Sequence, residues 1–322
     1  MEINKRNIRA WSMMGQTGQF GVIMSELAGS NEDFCVVTAD LCQFSGLERF
    51  SQEYPERFYN VGIAEQNMIG VSAGIAREGI GVFAASYATF ITSRALDQVR
   101  ISMSYMKLPV KLVGLTAGFN SGILGATHMA IEDVAIMRAL PDITIISPAD
   151  CTEAAKCMEA VIKYDKPVYI RLTGGDRAPI VYTEDYNYRI GKAISLRNGN
   201  DVCILASGSM VYESLQAAEQ LEKSGISTGV IDVHTIKPLD LTIAKEIVKY
   251  KLIVTAEEHS VIGGLGDAIA DLTMRERIQA SIMKLGVEGS YPHAASYTTL
   301  LQRSGLTSDE IVKKVVSRIG KL

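Results

Sequence analysis

Residues 60–68, with the sequence NVGIAEQNM, constrain this chain more than any other segment. They place one acid, Glu65, near the start of a predicted helix whose next residues, 69–76, are apolar or small. One interpretation is purely structural, because the helix dipole favours a carboxylate in the first turn. The apolar, glycine-rich surroundings offer this carboxyl group few partners, so we favour a buried acid that shares a proton with a ligand nitrogen.

The composition excludes several classes of protein. The 322 residues are 47% apolar and 21% charged with a net charge of −4, which offers no basic face to nucleic acid. No apolar run approaches the ~20 residues of a membrane helix, and residues 1–6 lack the apolar core of a secretory signal. Five scattered cysteines without paired metal-ligand spacing indicate reduced thiols. We therefore expect a cytoplasmic protein without a nucleic-acid or membrane partner and without metal ligands of its own.

Strand-like and helix-like segments alternate along most of the chain, which predicts parallel sheets covered by helices. The alternation stops at 173–190, which we interpret as a surface linker, and then resumes. We predict an α/β fold class with two domains, 1–180 and 190–322, each a mostly parallel sheet flanked by helices. The predicted strands are 34–39, 81–86, 110–114, 143–146, 168–171, 202–206, 228–232, 252–256 and 281–285. The main predicted helices are 7–29, 91–106, 128–140, 151–164 and one from about Asp309 to the end, and 40–50 is predicted to be a loop.

Two further groups of residues are candidates for chemistry. Tyr87 and Phe90 follow a predicted strand, where open α/β sheets place ligands; they are either core aromatics or a platform for a flat heterocycle. His128 ends a glycine-rich loop that lacks the spacing of a phosphate-binding motif. It also pairs with Glu132 at i, i+4, but a metal site needs more ligands than these. We favour a histidine that donates a proton or hydrogen bond to a substrate hydroxyl.

Two segments of the second domain follow predicted strands. We interpret 234–240 as a structured turn that enters a helix. The glycines in 263–266 allow a helix to pack closely on the sheet, and they give little support to a nucleotide site.

Taken together, these segments resemble the C-terminal half of transketolase. The matching segments are 60–68, RALDQVR at 94–100, GATH at 125–128, IKPLD at 236–240 and EHSVIGGLG at 258–266, in the order found in that family. The family domain that carries the diphosphate- and metal-binding motif has no counterpart in this sequence. The resemblance therefore implies the C-terminal subunit of a split, thiamine diphosphate-dependent transketolase. Its expected partner is an N-terminal transketolase subunit with the diphosphate-binding domain, in an α2β2 assembly.

The resemblance also implies a role for individual residues. Glu65 would hydrogen-bond N1′ of the cofactor pyrimidine, and Mg²⁺ or Ca²⁺ would be held with the diphosphate by the partner subunit. His128 would contact a ketose donor near its reacting hydroxyls, while a two-carbon ketol unit passes from that ketose to an aldose acceptor. The other implied cofactor contacts are Asp40, Ile63, Tyr87 and Phe90, and the implied sugar contacts are Arg94, His128 and Arg171.

The sequence departs from the family pattern at several positions. Arginines that hold the sugar phosphate in the family correspond to Thr17 and Gly174 here, and an arginine of deoxyxylulose-phosphate synthases corresponds to Thr116. The match also requires one extra residue before Arg94. We therefore expect a small-molecule sugar substrate that does not depend on the usual phosphate clamp.

Three alternatives remain at this point. One is the β subunit of a 2-oxoacid dehydrogenase E1, which shares the architecture and the glutamate but not the residues in front of Glu65 or the GATH sequence. Another is an enzyme similar to deoxyxylulose-phosphate synthase. The last is a structural subunit without a cofactor, against which the presence of Glu65 and His128 argues.

Overall fold

Two mostly parallel β-sheets form the framework of the chain in the computed structural model, which describes residues 1–30 and 33–320. The strands are β1 (Phe34–Thr38), β2 (Phe58–Asn60), β3 (Gly81–Tyr87), β4 (Lys111–Leu115), β5 (Thr144–Ile146), β6 (Val168–Arg171), β7 (Ile194–Arg197), β8 (Val202–Ala206), β9 (Thr228–Asp232), β10 (Thr235–Lys237), β11 (Leu252–Ser260) and β12 (Ser281–Val287). The helices are α1 (Lys5–Gly29), α2 (Glu48–Glu53), α3 (Glu65–Arg77), α4 (Leu96–Gln98), α5 (Asp133–Ala139), α6 (Cys151–Ile162), α7 (Met210–Lys223), α8 (Ile243–Ile247), α9 (Leu265–Arg275), α10 (Tyr297–Arg303) and α11 (Ser308–Ile319). Helices cover both faces of each sheet, which confirms the predicted fold class.

The first sheet has the order β10-β5-β6-β4-β3-β1-β2, and the edge strand β10 alone runs antiparallel to its neighbour. The strand β1 illustrates why its sequence is continuously apolar. Phe34 and Val36 pack against α1 and α6 on one face, whereas Cys35 and Val37 pack against α3 on the other. A parallel strand covered on both sides needs apolar residues at every position, so the short apolar runs were reliable strand signals.

The second sheet has the order β12-β11-β8-β9-β7, with the edge strand β7 antiparallel to β9. The helices α7, α10 and α11 pack on one face and α8 and α9 on the other. No helix within the described ranges is both long and apolar enough to cross a membrane.

The strand β10 crosses the boundary predicted between the two domains. It follows β9 of the second sheet, yet it pairs with β5 of the first, where Thr235 lies opposite Ile146. Ile236 is buried in the core beneath the first sheet. The interpretation of 234–240 as only a turn was therefore wrong, because a strand of three residues is too short to show a recognisable alternation.

The helix predicted at 91–106 is present, but most of its backbone is π-helical. Two π-helical segments, Phe90–Arg94 and Val99–Tyr105, flank the single turn of α4. A π-turn contains more residues than an α-turn and occurs frequently at functional sites. This geometry accommodates the extra residue that the sequence match requires before Arg94.

The loops around the sheet edge differ from the prediction in two places. His128 ends a 3₁₀ turn, Ala126–His128, and α5 begins only at Asp133, so the helix predicted to start at His128 starts five residues later. The loop predicted at 40–50 is shorter than expected, because α2 already begins at Glu48. In both places short helical turns lack the periodicity that identifies longer helices.

Residues 173–190 contain no helix or strand, but some of their side chains are buried. Tyr182 and Tyr188 are buried, and the ring of Tyr182 stacks on that of Tyr186 with centroids 4.3 Å apart. The Tyr182 hydroxyl donates to Asp232 at the end of β9, at 2.7 Å. The interpretation as a simple surface linker was therefore wrong, since this segment packs between the two sheets.

Candidate active site

Glu65 is the first residue of α3. The loop before it is hydrogen-bonded to the end of β1. Asn60 Oδ1 accepts the backbone N–H groups of Asp40 and Gly62, both at 3.0 Å. Gly62 has a φ of +75°, which glycine adopts without strain. Only 3% of Glu65 is exposed. The acid at the helix start thus lies inside the molecule rather than in solvent.

The carboxylate of Glu65 is paired with Arg94. Arg94 Nη1 lies 3.1 Å from each of the two carboxylate oxygens. The guanidinium also lies over the ring of Phe90, with Cζ 4.3 Å from the centroid. The backbone carbonyl of Arg94 also accepts a hydrogen bond from Gln66 Nε2 at 3.2 Å. The π-helical turn from Phe90 to Arg94 therefore brings an aromatic ring and a cation to the buried acid.

Three aromatic rings predicted separately from sequence meet beside this pair. The ring centroids of Tyr87 and Phe90 are 5.6 Å apart, and His128 lies 5.5 Å from the first and 5.2 Å from the second, all edge to face. Thr127 Oγ1 lies 3.0 Å from His128 Nδ1. Burial raises the pKa of Tyr87 above its usual value. The structure thus unites Glu65 with these rings at the carboxyl edge of the first sheet.

Asp40 and Ile63 lie at the rim of the same edge. Asp40 follows β1 with a φ of +59°, and its Oδ1 accepts a hydrogen bond from Asn60 Nδ2 at 3.1 Å. Ile63 is 78% exposed in the loop before α3. Both side chains are therefore available to a molecule that contacts this edge, and their contacts with a cofactor stay predictions.

Arg171 is the last residue of β6 and is 2% exposed. Its Nε donates to Asp133 Oδ2 at 2.7 Å, and its Nη2 donates to the carbonyls of Ala130 and Glu258 at 3.0 and 2.8 Å. These bonds connect the first sheet to β11 of the second. The geometry gives no support to the predicted sugar contact, because the guanidinium is buried and bonded within the protein.

Glu258 is a residue that the sequence analysis did not recognise as important for the site. It is buried, and its carboxylate accepts hydrogen bonds from the N–H of Phe119, the hydroxyl of Ser209 and the hydroxyl of Tyr297. Burial raises the pKa of Glu258. A Cβ on Gly118 would lie 2.1 Å from Glu258 Oε1, so only glycine fits there. Glu258 therefore anchors the loop that leads to His128, and its sequence signal was its place as the first residue of the matching segment EHSVIGGLG.

A cavity of 730 Å³ opens beside Tyr87, between the first sheet, the loop after β4 and the start of α10. Asp176 is the only charged residue among those that line it in the described parts of the chain. A larger cavity of 860 Å³ lies next to Lys251, and none of the predicted site residues lines it. The residues that line the first cavity are Met14, Gly15, Thr17, Gly18, Phe44, Tyr87, Thr116, Asn120, Ser121, Ile123, Leu124, Gly175, Asp176, Ser296, Tyr297 and Thr298.

The residues at this edge suit the pyrimidine half of thiamine diphosphate. A flat heterocycle with N–H groups needs a buried acceptor and an aromatic surface, which Glu65 and Phe90 provide side by side. Within residues 1–30 and 33–320, no three His, Cys, Asp or Glu side chains are grouped to hold a metal ion. The contacts of these residues with the cofactor stay predictions.

The fold, two mostly parallel sheets flanked by helices, agrees with the family models that match the chain. The family described as "Transketolase, pyrimidine binding domain" matches residues 15–176, and "Transketolase, C-terminal domain" matches residues 191–311. The chain belongs to the transketolase family, and the family implies dependence on thiamine diphosphate. The predicted resemblance to the C-terminal half of transketolase is thereby confirmed.

Relatives and solved structures agree with this assignment. The chain is 37% identical to "Putative transketolase C-terminal section" of Methanocaldococcus jannaschii, with 95% of this chain and 97% of that protein covered. It is 40% identical to "6-deoxy-6-sulfo-D-fructose transketolase subunit SqwH" of a Clostridium species, with 90% of each covered. Among solved structures it is similar to "Split gene transketolase, inactive beta4 tetramer", at 36% identity and a TM-score of 0.87, covering 95% of this chain and 99% of that one.

Proposed function

We propose that this chain is the C-terminal subunit of a split transketolase, which transfers a two-carbon ketol unit from a ketose to an aldose. The observation that carries the proposal is the buried Glu65 at a helix start, beside the ring of Phe90. Two relatives whose names describe a section or subunit of a transketolase match over nearly their whole length, which supports a separate N-terminal partner. That partner would supply the diphosphate- and metal-binding domain.

Each residue of the site has a defined task in this proposal. Thiamine diphosphate, when bound, supplies the electron sink for cleavage of the bond beside the ketose carbonyl. Glu65 hydrogen-bonds N1′ of the pyrimidine, and the low-dielectric surroundings of this buried group make that hydrogen bond strong. Phe90 and Tyr87 fix the plane of the ring. His128, held beside both rings, orients a substrate hydroxyl and exchanges a proton with it.

The lining of the cavity beside Tyr87 supports a substrate that does not depend on a phosphate clamp. Thr17 and Thr116, which occupy positions of family arginines, both line it, and the Thr116 N–H donates to Thr17 Oγ1 at 3.1 Å. The carboxylate of Asp176 would repel a phosphate at this wall. Hydroxyl groups and a single acid suit the hydroxyls of an unphosphorylated sugar.

The proposal is tested with the complex formed by this chain and its N-terminal subunit. We expect turnover of hydroxypyruvate, a short ketol donor without a distal end, when an aldose acceptor is present. Oxidative decarboxylation of a 2-oxoacid without ketol transfer would favour the dehydrogenase alternative. Carboligation of pyruvate with a triose phosphate would favour the deoxyxylulose-phosphate synthase alternative. A complex that binds no thiamine diphosphate would indicate a structural subunit.

The substrate class is tested by comparing kcat/KM for xylulose and xylulose 5-phosphate in the same complex. We expect the unphosphorylated ketose to be used at least as well. A large preference for the phosphorylated ketose would contradict the interpretation of Thr17, Thr116 and Asp176, while it would leave the ketol-transfer proposal intact.

A further inference from the structure

The contact between Arg94 and Glu65 occupies the acid that the proposed function requires. Within the described residues, Arg94 is the sole hydrogen-bond donor to the Glu65 carboxylate, with one guanidinium nitrogen 3.1 Å from both oxygens. The acid is 3% exposed, so few other groups can reach it. The guanidinium thus satisfies a buried charge that would otherwise be costly.

The same guanidinium also covers the ring of Phe90. Its Cζ lies 4.3 Å from the ring centroid, within the range of a cation–π contact. A guanidinium is flat, donates N–H groups and stacks on aromatic faces. An aminopyrimidine has these three properties as well. Arg94 therefore makes toward Glu65 and Phe90 the two kinds of contact that a pyrimidine would make.

The two partners of this ion pair differ in their freedom to move. Glu65 is buried at the start of α3, in a helix that packs against β1 and β3. Arg94 is 51% exposed along its side chain and belongs to a π-helical turn at the surface. A long, exposed arginine stem can swing into solvent, whereas the buried carboxylate cannot follow it.

We propose that Arg94 acts as an internal stand-in for the cofactor pyrimidine, which must displace the guanidinium from Glu65 and Phe90 in order to bind. This inference rests on the proposed function, because it takes Glu65 and Phe90 as the pyrimidine contacts. Arg94 is then a residue that sets cofactor affinity, and it protects the buried acid until the cofactor arrives. Its role as a sugar contact, predicted from sequence, applies only after displacement.

The test is the dissociation constant of thiamine diphosphate, measured by calorimetry at fixed Mg²⁺ on the complex with the N-terminal subunit. Arg94→Met keeps the length of the side chain and removes the competing donors, so we expect binding to become about 2- to 5-fold tighter, the range of a modest ion-pair contribution. Arg94→Lys retains a charge but cannot stack as a plane, and it should give an intermediate value. The lysine variant keeps the test decisive if the methionine variant does not fold.

The matched control is Arg100→Met, on the next turns of the same surface segment. Arg100 is 61% exposed and pairs with Asp97 at 3.7 Å rather than with Glu65, so its loss should leave the dissociation constant unchanged. Equal or weaker cofactor binding by Arg94→Met and Arg94→Lys would overturn the inference while the proposed function stands. Absence of cofactor binding by the parent complex would overturn the proposed function, and this inference with it.

Discussion

At the scale of single residues, burial distinguishes Glu65 from an ordinary first-turn acid. Such acids normally remain in solvent and gain only a modest interaction with the helix dipole. Glu65 is 3% exposed and its charge is met by Arg94. Burial of a carboxylate is costly unless a partner meets its charge, so the position of Glu65 depends on Arg94, and its role at N1′ stays a prediction.

Replacement of Glu65 by Gln should abolish turnover and leave the fold intact. The amide keeps the shape of the side chain but cannot exchange a proton with N1′. We expect hydrogen–deuterium exchange at C2 of the cofactor to slow by roughly 10²- to 10⁴-fold, the usual loss for a positioned acid–base group. Glu78→Gln, at the exposed end of α3, is the control. If hydrogen–deuterium exchange at C2 is as fast in Glu65→Gln as in the parent, Glu65 has only the structural role of an acid in the first turn of a helix.

The buried carboxyl of Asp232 should make the stability of the fold depend on pH. Burial raises its pKa to about 7, with Tyr182, Glu153 and Asp150 around it. The folded value exceeds the unfolded value near 4, so the folded state binds the proton more tightly. The resulting stability is complete below about pH 4 and is lost as the pH rises through about 7.

Asp232→Asn tests this dependence by urea unfolding between pH 5 and 8. The parent should lose on the order of 1 kcal/mol or more over this range, and the variant should lose less, because its amide does not ionise. Asp201→Asn, at a half-buried position before β8, is the control. If the free energy of unfolding falls with pH equally in the parent and in Asp232→Asn, the pH dependence does not come from Asp232.

At the scale of elements, the loop after β4 depends on the second sheet for its shape. Glu258, on β11, accepts the N–H of Phe119 and leaves no room for a side chain at Gly118. This contact fixes the path of the chain toward His128. The carboxyl edge of the first sheet is thus shaped by an acid of the second.

Gly118→Ala should destabilise the protein by more than its backbone strain alone. Gly118 has a φ of +67°, and a Cβ there would meet the Glu258 carboxylate. Gly225→Ala is the matched control, with a φ of +78° and no atom within 4 Å of its Cβ. We expect a loss of about 1 kcal/mol for the control and about 1–3 kcal/mol more for Gly118→Ala in urea unfolding. Equal losses would show that the loop adapts without Glu258.

At the scale of the whole molecule, buried polar contacts hold the two sheets together. Arg171 bonds to Asp133 in the first unit and to the carbonyl of Glu258 in the second. The strand β10 adds a second connection, since it leaves the second sheet to pair with β5. The two α/β units are therefore expected to unfold together.

Arg171→Met should lower stability without a specific effect on the sugar. Its loss leaves Asp133 as a buried charge without its cation, which typically costs about 3–5 kcal/mol. The melting temperature should fall, while KM for the ketose in the surviving folded complex should stay near the parent value. A normal melting temperature with a greatly raised KM would instead support the sugar contact predicted from sequence.

The active assembly should be an α2β2 heterotetramer, and this chain alone should be inactive. The matching family models are the pyrimidine-binding and C-terminal domains of transketolase, so the proposal assigns the diphosphate- and metal-binding domain to a partner subunit. Light scattering should give two 35.0 kDa chains of this protein with two of its partner. Turnover by a homogeneous preparation of this chain would contradict the split-subunit proposal, and a stable, active 1:1 complex would contradict the stoichiometry.

Local patterns in the sequence determined the class of fold and the position of the key acid. Runs of buried, β-branched residues predicted β1, β8 and β9 closely, because a covered parallel strand leaves its signature in consecutive residues. Glu65 was recognisable because the residues around it are apolar or small. Tyr87 and Phe90 were proposed because they come at the end of a predicted strand, and His128 because it ends a glycine-rich loop. The structure brings their rings together, and their roles stay predictions.

Contacts between distant residues were decided only by the tertiary structure. Arg94 meets Glu65 across 29 positions, and Arg171 meets Asp133 across 38. The anchoring of Phe119 by Glu258 spans 139 positions. No local pattern encodes such pairs, because a charged side chain looks the same in sequence whether it faces solvent, a ligand or a buried partner. Which of these applies depends on how the sheets bring their edges together.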